Sequence, residues 1–163
     1  MLLRKGLFGV LFFVSINKYM WYYNNEIYTI DSEAEMKTYP YYGFVYNITN
    51  ETNGMQYIGK KFFWSKKTLG ITKTRKRKKI LYIQSDWVTY TGSSRQLNED
   101  IESGHSIKKE ILHLCETKGI CAYMEAKEHF ARDVLLTDDY YNGIIAAKIG
   151  APSVRLLREK KDK

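Results

Sequence analysis

Two tyrosines, Tyr46 and Tyr57, stand eleven positions apart, and after Ile58 the second is followed by Gly59, Lys60 and Lys61. Phenols beside ammonium groups suit an anionic substrate. The cations continue: residues 60–79 hold ten Lys and Arg, namely Lys60, Lys61, Lys66, Lys67, Lys73, Arg75, Lys76, Arg77, Lys78 and Lys79, and no acid. The chain's formal charge is +8, and with 26 basic and 18 acidic residues in all, that one block accounts for the whole surplus. A local block of this kind suits phosphate-backbone contact, whose affinity comes mainly from counterion release. A solvated loop, a localisation signal or an anionic lipid surface are the other uses of such a run. Hydrolysis of a phosphodiester asks for a base to activate water, a cation to hold the scissile phosphate, and usually a carboxylate-held metal.

The elements that must position these residues begin with a hairpin. Phe44-Val45-Tyr46 reads as a half-buried strand and Met55-Gln56-Tyr57-Ile58 as a second. Asn53-Gly54 between them supplies the positive φ of a tight turn. Tyr46 and Tyr57 are therefore expected on neighbouring strands, with Gly59 where a backbone can be approached closely. Ile80 to Gln84 reads as a short strand, which makes 60–84 a basic excursion between two anchored ends. Ser93 and Ser94 are good N-caps for a helix over about 95–103, with Leu97 and Ile101 at i, i+4. Ile107 to Leu114 is ambiguous between helix and strand by its own pattern. A longer helix is expected over about 120–135, with Ile120, Tyr123, Met124, Phe130, Val134 and Leu135 on its apolar stripe. Ile144–Ile149 reads as a short terminal element, and residues 151–163 as a basic tail, frayed over 155–163.

Taken in order, Phe44-Val45-Tyr46, Tyr57-Ile58-Gly59, Ser85-Asp-Trp87, Tyr90-Thr-Gly-Ser-Ser94, Lys109-Glu-Ile-Leu112, Glu125-Ala-Lys127 and Asp138-Asp-Tyr-Tyr-Asn-Gly143 resemble the GIY-YIG nuclease superfamily. The likeness is greatest to its phage-encoded SegE-type branch and runs from about Tyr42 to Ile145. Phe44 stands where that family's name has Gly, but Tyr is present in both slots. The resemblance implies an α+β fold, a three-stranded antiparallel sheet flanked by helices, with Ile107–Leu114 as its third strand. It implies an endonuclease acting on double-stranded DNA, of homing or mobile-element type. It also implies one divalent ion, Mg²⁺ or Mn²⁺, held by a helix-borne glutamate, here Glu125. Tyr46 would activate water and Tyr57 would support it. Asn142 would lie near the catalytic surface, although Asn-Gly is also ordinary turn chemistry. The family's usual catalytic Arg has no counterpart soon after Gly59. Lys60 is the first candidate to replace it, with Arg75, Arg77 and Arg95 as others. Arg95 and the block from Lys61 to Lys79 would contact the nucleic acid. An ordinary tyrosine has a pKa of about 10, so Tyr46 needs adjacent positive charge to work as a base.

The remaining residues narrow the reading. The chain has a one-domain length at 163 residues. Cys115 and Cys121 lack a second Cys or His pair at zinc-finger spacing, so they read as plain thiols. Glu128 reads as a surface partner of Arg132 at i+4. His129 shares a helix face with Glu125, and His105, His113 and His129 all read as satisfied surface histidines. The apolar run 6–16 is too short to span a bilayer, and no small-residue cleavage site follows it. The expected division is therefore a 1–35 extension outside the working fold, a domain over 36–150, and the tail. A cytoplasmic location, the host's if the chain is phage-encoded, and no stable membrane partner are expected. The rival readings are a non-catalytic nucleic-acid-binding protein on the same fold and a secreted or membrane-surface basic protein.

Overall fold

The computed structural model describes residues 18–30 and 33–161. In chain order the elements are β1 (Trp21–Tyr23), β2 (Glu26–Tyr28), α1 (Glu33–Thr38), β3 (Gly43–Asn50), β4 (Gln56–Phe62), β5 (Trp64–Leu69), β6 (Lys79–Gln84), α2 (Arg95–Glu102), β7 (Ile107–Cys115), α3 (Lys118–Ala131), a 3₁₀ turn (Ala151–Val154) and α4 (Arg155–Lys161). The class is α+β. The main sheet has the order β2-β1-β7-β3-β4, and β5 and β6 form a separate two-stranded ribbon.

The expected antiparallel trio is present as β7-β3-β4, but the sheet has five strands and is mixed. β1 lies parallel to β7, pairing Trp21 with Lys109, and β2 returns antiparallel to β1. The signal for that first hairpin is Asn24-Asn25. Both residues have positive φ, 51° and 65°, as a two-residue type I′ turn requires. The domain boundary expected at Met36 is therefore too late. Trp21 is buried in the main core, edge-on to Phe44 at 4.9 Å and to Tyr46 at 5.3 Å. The apolar run 6–16, on which part of that expectation rested, lies outside the described residues.

β3 is central, and its alternate residues feed two cores. Phe44, Tyr46 and Ile48 face a cluster with Trp21, Phe63, Trp87, Leu97, Ile101 and Ile111. Val45 faces the other side, with Ile58, Cys115, Ile120, Cys121 and Val134. A bulge between Val45 and Tyr46 pairs them with His113 and Ile111, so Leu112 is the extra residue on β7. α2 covers the first face. Ser94 caps it by accepting from the Leu97 N–H, and Leu97 and Ile101 are buried, as the sequence pattern requires.

α3 covers the second face, but it ends at Ala131, with Asp133 in the left-handed region (φ 49°) just beyond. Its buried residues are Ile120, Cys121, Ala126 and His129. Tyr123, Phe130 and Leu135, expected on the inward stripe, are exposed. The early helix end turns Val134 into the core as a post-helical plug. Residues 144–149 hold no regular element. The tail, expected to fray, forms a 3₁₀ turn and α4 instead. Leu157 packs on the second core, Lys160 bonds Glu116 at 2.5 Å, and Arg155 pairs with Glu159 at 2.9 Å.

Candidate active site at the β4 edge

The register of β3 and β4 sets the site. Tyr46 lies opposite Gly59, and Ile48 opposite Tyr57. Because side chains alternate along a strand, Tyr57 and Lys61 share Tyr46's face, whereas Ile58, Lys60 and Phe62 point to the α3 face. The five catalytic candidates are thus divided between two faces of one edge strand.

On the first face, Tyr46 is only 1% exposed. Its ring leans across Gly59, whose missing side chain provides the room: a β carbon there would fall 2.5 Å from the Tyr46 hydroxyl. The Tyr57 ring stands 6.2 Å away, and its hydroxyl shares a 2.8 Å hydrogen bond with Ser93 Oγ. Tyr90 packs edge-on against Tyr46 at 6.1 Å. Lys61 reaches Asp86 at 2.7 Å and stands 3.7 Å over the Tyr90 ring, and that bond holds the Asp86 carboxyl below its usual range. Burial pushes the Tyr46 phenol well above its ordinary pKa, with Tyr90, Tyr57 and the Glu125 charge adding to the rise. The positive field that would favour a Tyr46 phenolate is absent in this state, because both nearby lysines are spent on carboxylates.

On the second face, Lys60 forms an ion pair with Glu125 from the middle of α3, their side chains 30% and 14% exposed. Glu125 is therefore neither an open surface carboxylate nor buried beyond reach. Among the described residues no group of three or more His, Cys, Asp and Glu is arranged to hold a metal ion. The donor set fits a divalent ion held by one carboxylate and otherwise by water and substrate oxygens, the habit of Mg²⁺. Lys60 would have to release Glu125 to admit it.

Asn142 brackets the β4 strand. Its amide accepts from the Ile58 N–H at 3.0 Å and donates to the Ile58 carbonyl at 2.8 Å. It continues a short parallel bridge of Tyr140 to Gln56, in which the Gln56 N–H bonds Asp139 O and the Tyr141 N–H bonds Gln56 O, both at 2.8 Å. His129 is not a surface residue: it is buried, 3.2 Å from the Ile58 carbonyl. His113 and Arg132 both bind Glu128, at 2.6 and 2.9 Å. Against the cost of burial, they keep that carboxyl below its usual range. His105 lies 2.9 Å from the Asn50 amide, beside Asp100.

Of the residues expected to meet nucleic acid, Lys66, Lys67, Lys73, Lys76, Arg77, Lys78 and Lys79 are exposed on the ribbon and its tip. Arg75 is half-buried and bonds Gly70 O at 3.1 Å. Arg95 is exposed at the start of α2, paired with Glu99 at 2.7 Å. The sequence reading missed Asp86 and Tyr90 as site residues. Their signal was the Asp86-Trp87 to Ser94 stretch, which was used for the family resemblance and for the helix cap but not for the site. It also missed Lys109, fully buried on β7. Lys109 donates to the Val88 and Tyr90 carbonyls at 2.9 and 3.3 Å and stands 4.4 Å over the Trp21 ring. It thereby ties the Tyr90 loop to the sheet.

The chain belongs to the GIY-YIG nuclease family, and its mixed sheet, with a tyrosine on each strand of the β3–β4 hairpin and Glu125 on the helix across that edge, agrees with that class. The matching family model is that of the putative endonuclease SegE, GIY-YIG domain, and it covers residues 21–145, from the start of β1 to past Asn142. No match was found among curated proteins or among solved structures. Among the described residues, no helix is long and apolar enough to cross a membrane.

Proposed function

We propose that the chain is a divalent-metal-dependent endonuclease that hydrolyses phosphodiester bonds in double-stranded DNA, of homing or mobile-element type, working in the cytoplasm of the cell that hosts it. The observation that carries the reading is the placement of the Tyr46 hydroxyl over Gly59, with Tyr57 and Lys61 on the same face and Lys60–Glu125 across the strand. Glu125 would hold the ion, which when bound supplies charge to the phosphate oxygens and makes water a better nucleophile. Lys60, released from Glu125, holds the scissile phosphate. Lys61 and Tyr57 orient it from the Tyr46 face. Tyr46 must give up its own proton to solvent before it can take one from the attacking water. The water oxygen then bonds to phosphorus as the P–O ester bond breaks, and the leaving oxygen takes a proton from solvent.

The test is nicking of supercoiled plasmid with Mg²⁺ against EDTA, for the wild-type chain and for Tyr46→Phe and Glu125→Gln. Metal-dependent nicking lost in both variants supports the reading. Equal nicking by all three folded proteins overturns it. A non-catalytic DNA-binding protein is the second reading, favoured by the raised Tyr46 phenol and by the closed Lys60–Glu125 pair. Tight plasmid binding without any nicking in Mg²⁺ or Mn²⁺ would establish it.

A further inference from the structure

The β5–β6 ribbon stands apart from the main sheet and is rooted at the site. β5 begins three residues after Lys61. After β6, Ser85 returns to bond the Phe63 carbonyl through its N–H at 2.8 Å and the Phe62 carbonyl through its hydroxyl at 2.6 Å. The two strands pair in register from Trp64–Gln84 to Leu69–Lys79. At about 3.4 Å per residue the paired region is about 20 Å long, and two strands with their side chains are about 10 Å across.

The distribution of charge on it is unusual for a surface hairpin. By register, one face carries Lys66 with Tyr82, Ile80 and Thr68, and the other carries Lys67 and Lys79 with Ile83, Leu81 and Leu69. Ile80, Tyr82 and Ile83 are exposed. Lys73, Lys76, Arg77 and Lys78 crowd the tip between the strands, and a Thr72–Arg75 turn, bonded both ways at 2.9 and 3.1 Å, shapes it. A ribbon that rested on one flat anionic surface would need cations on one face. Cations on both faces suit a wedge between two phosphate walls, with apolar side chains toward the floor. The B-DNA major groove is about 12 Å wide and admits a two-stranded β-ribbon as it stands, whereas the minor groove is about 6 Å wide and takes one only when the duplex is bent and the groove opened. Single strands are held on stacking aromatics, of which the described ribbon strands carry an exposed Tyr82 and a half-buried Trp64.

We propose that the β5–β6 ribbon is an arm that lies in the major groove of duplex DNA beside the scissile phosphate. It supplies the duplex specificity of the nuclease reading, on which this rests. The arm enters the groove from the β4 edge, with Lys66 toward one strand's phosphates and Lys67 and Lys79 toward the other's. Ile80, Tyr82 and Ile83 meet base edges and thymine methyl groups.

The experiment measures binding of the full chain in EDTA to a random-sequence 30-base-pair duplex. Methyl green serves as a major-groove competitor and netropsin as a minor-groove one. Two variants accompany it: residues 70–78 replaced by Asn-Gly, and the triple Lys66→Ser, Lys67→Ser, Tyr82→Ser. Thermal melts confirm that each folds. Methyl green should weaken wild-type binding by at least about tenfold while netropsin has little effect, and both variants should bind about 10–100-fold more weakly and lose the difference between competitors. Competition by netropsin instead, wild-type sensitivity to methyl green in both variants, ribbon-dependent binding to single strands as tight as to duplex, or ribbon-dependent capture by phosphatidylserine vesicles in preference to duplex would each overturn the proposal. A chain that nicks plasmid yet ignores methyl green keeps the nuclease reading and loses the arm. A chain displaced by methyl green in a ribbon-dependent way that never nicks keeps the arm and loses the nuclease reading.

Discussion

The hydroxyl of Tyr46 and the backbone of Gly59 are packed so closely that no side chain can stand between them. Gly59→Ala must therefore move the Tyr46 ring, the strand, or both. The expected cost is about 1–3 kcal/mol of stability, typical of overpacking a filled site, together with loss of plasmid nicking. Urea melts and nicking assays check both. Because the added carbon would also lie 2.8 Å from the Tyr46 ring carbon that bears the hydroxyl, Tyr46→Phe in the Gly59→Ala background should restore only part of the stability and none of the activity.

Tyr46→Phe alone keeps the ring. It should fold with little change in melting temperature and lose cleavage. Its pH behaviour carries the sign of the phenol shift. The folded pKa lies above the unfolded value near 10, so the stability associated with the protonated phenol is complete below pH 10 and lost as pH rises through the folded value. Because the base role requires the deprotonated phenol, wild-type nicking at saturating Mg²⁺ should climb with pH from 7 to 9. A nicking rate already flat from pH 7 would remove Tyr46 from the base role.

Glu125 and Lys60 should separate under mutation. Glu125→Gln removes the anionic ligand, so metal-dependent nicking is lost while duplex binding stays the same or tightens. Lys60→Met opens the carboxylate instead. Mn²⁺ binding, followed by the loss of the free-ion electron paramagnetic resonance signal, should tighten in Lys60→Met, while nicking falls because the phosphate has lost its cation. Unchanged Mn²⁺ binding in Lys60→Met would mean that Glu125 is not the ligand.

Lys109 is the buried cation most open to a stability test. Burial, with the Lys18 charge adding, lowers its pKa from 10.5 to about 7. Folding therefore disfavours the ammonium, so stability should rise with pH from below 7 toward 10.5. Between pH 6 and pH 8 the gain is about 1 kcal/mol, close to one unit of pKa-linked free energy. Above pH 7 the neutral amine still has two N–H donors for the Val88 and Tyr90 carbonyls. Lys109→Met should flatten that pH dependence in urea melts. It should also lower nicking by freeing the loop that carries Tyr90. Retention of the pH slope in the variant would assign it to another group.

The hairpin was legible because its signals are local. Asn53-Gly54 sets the turn, with Gly54 at φ 79°, and alternation along β3 and β4 fixes which residues share a face. The Ser94 cap was legible for the same reason. β1 was not, because a three-residue parallel strand is defined only by its distant partner on β7. The split of Lys60 from Lys61 followed from alternation alone, yet treating the lysines as one cationic block concealed it. Lys109 blurred its strand by putting a lysine where an apolar residue belongs. His129 was misjudged because its burial depends on the Ile58 carbonyl of another strand. The tail's polar composition hid Leu157, which packs on the second core.

Among the described residues, no strand pairs with the outer side of β4, and the bracket from Asn142 closes that side only as far as Ile58. Between there and Phe62, whose carbonyl Ser85 Oγ takes, the short stretch around Lys60 is where another chain could add a strand, the usual route to unwanted sheet-to-sheet association. Lysines on an exposed edge are a common guard against it. Lys60 and Lys61 occupy that stretch, one toward each face. The same pair proposed to hold a phosphate is thus of the kind that guards an edge, so selection on solubility alone would favour charge here even in a copy that had lost its activity.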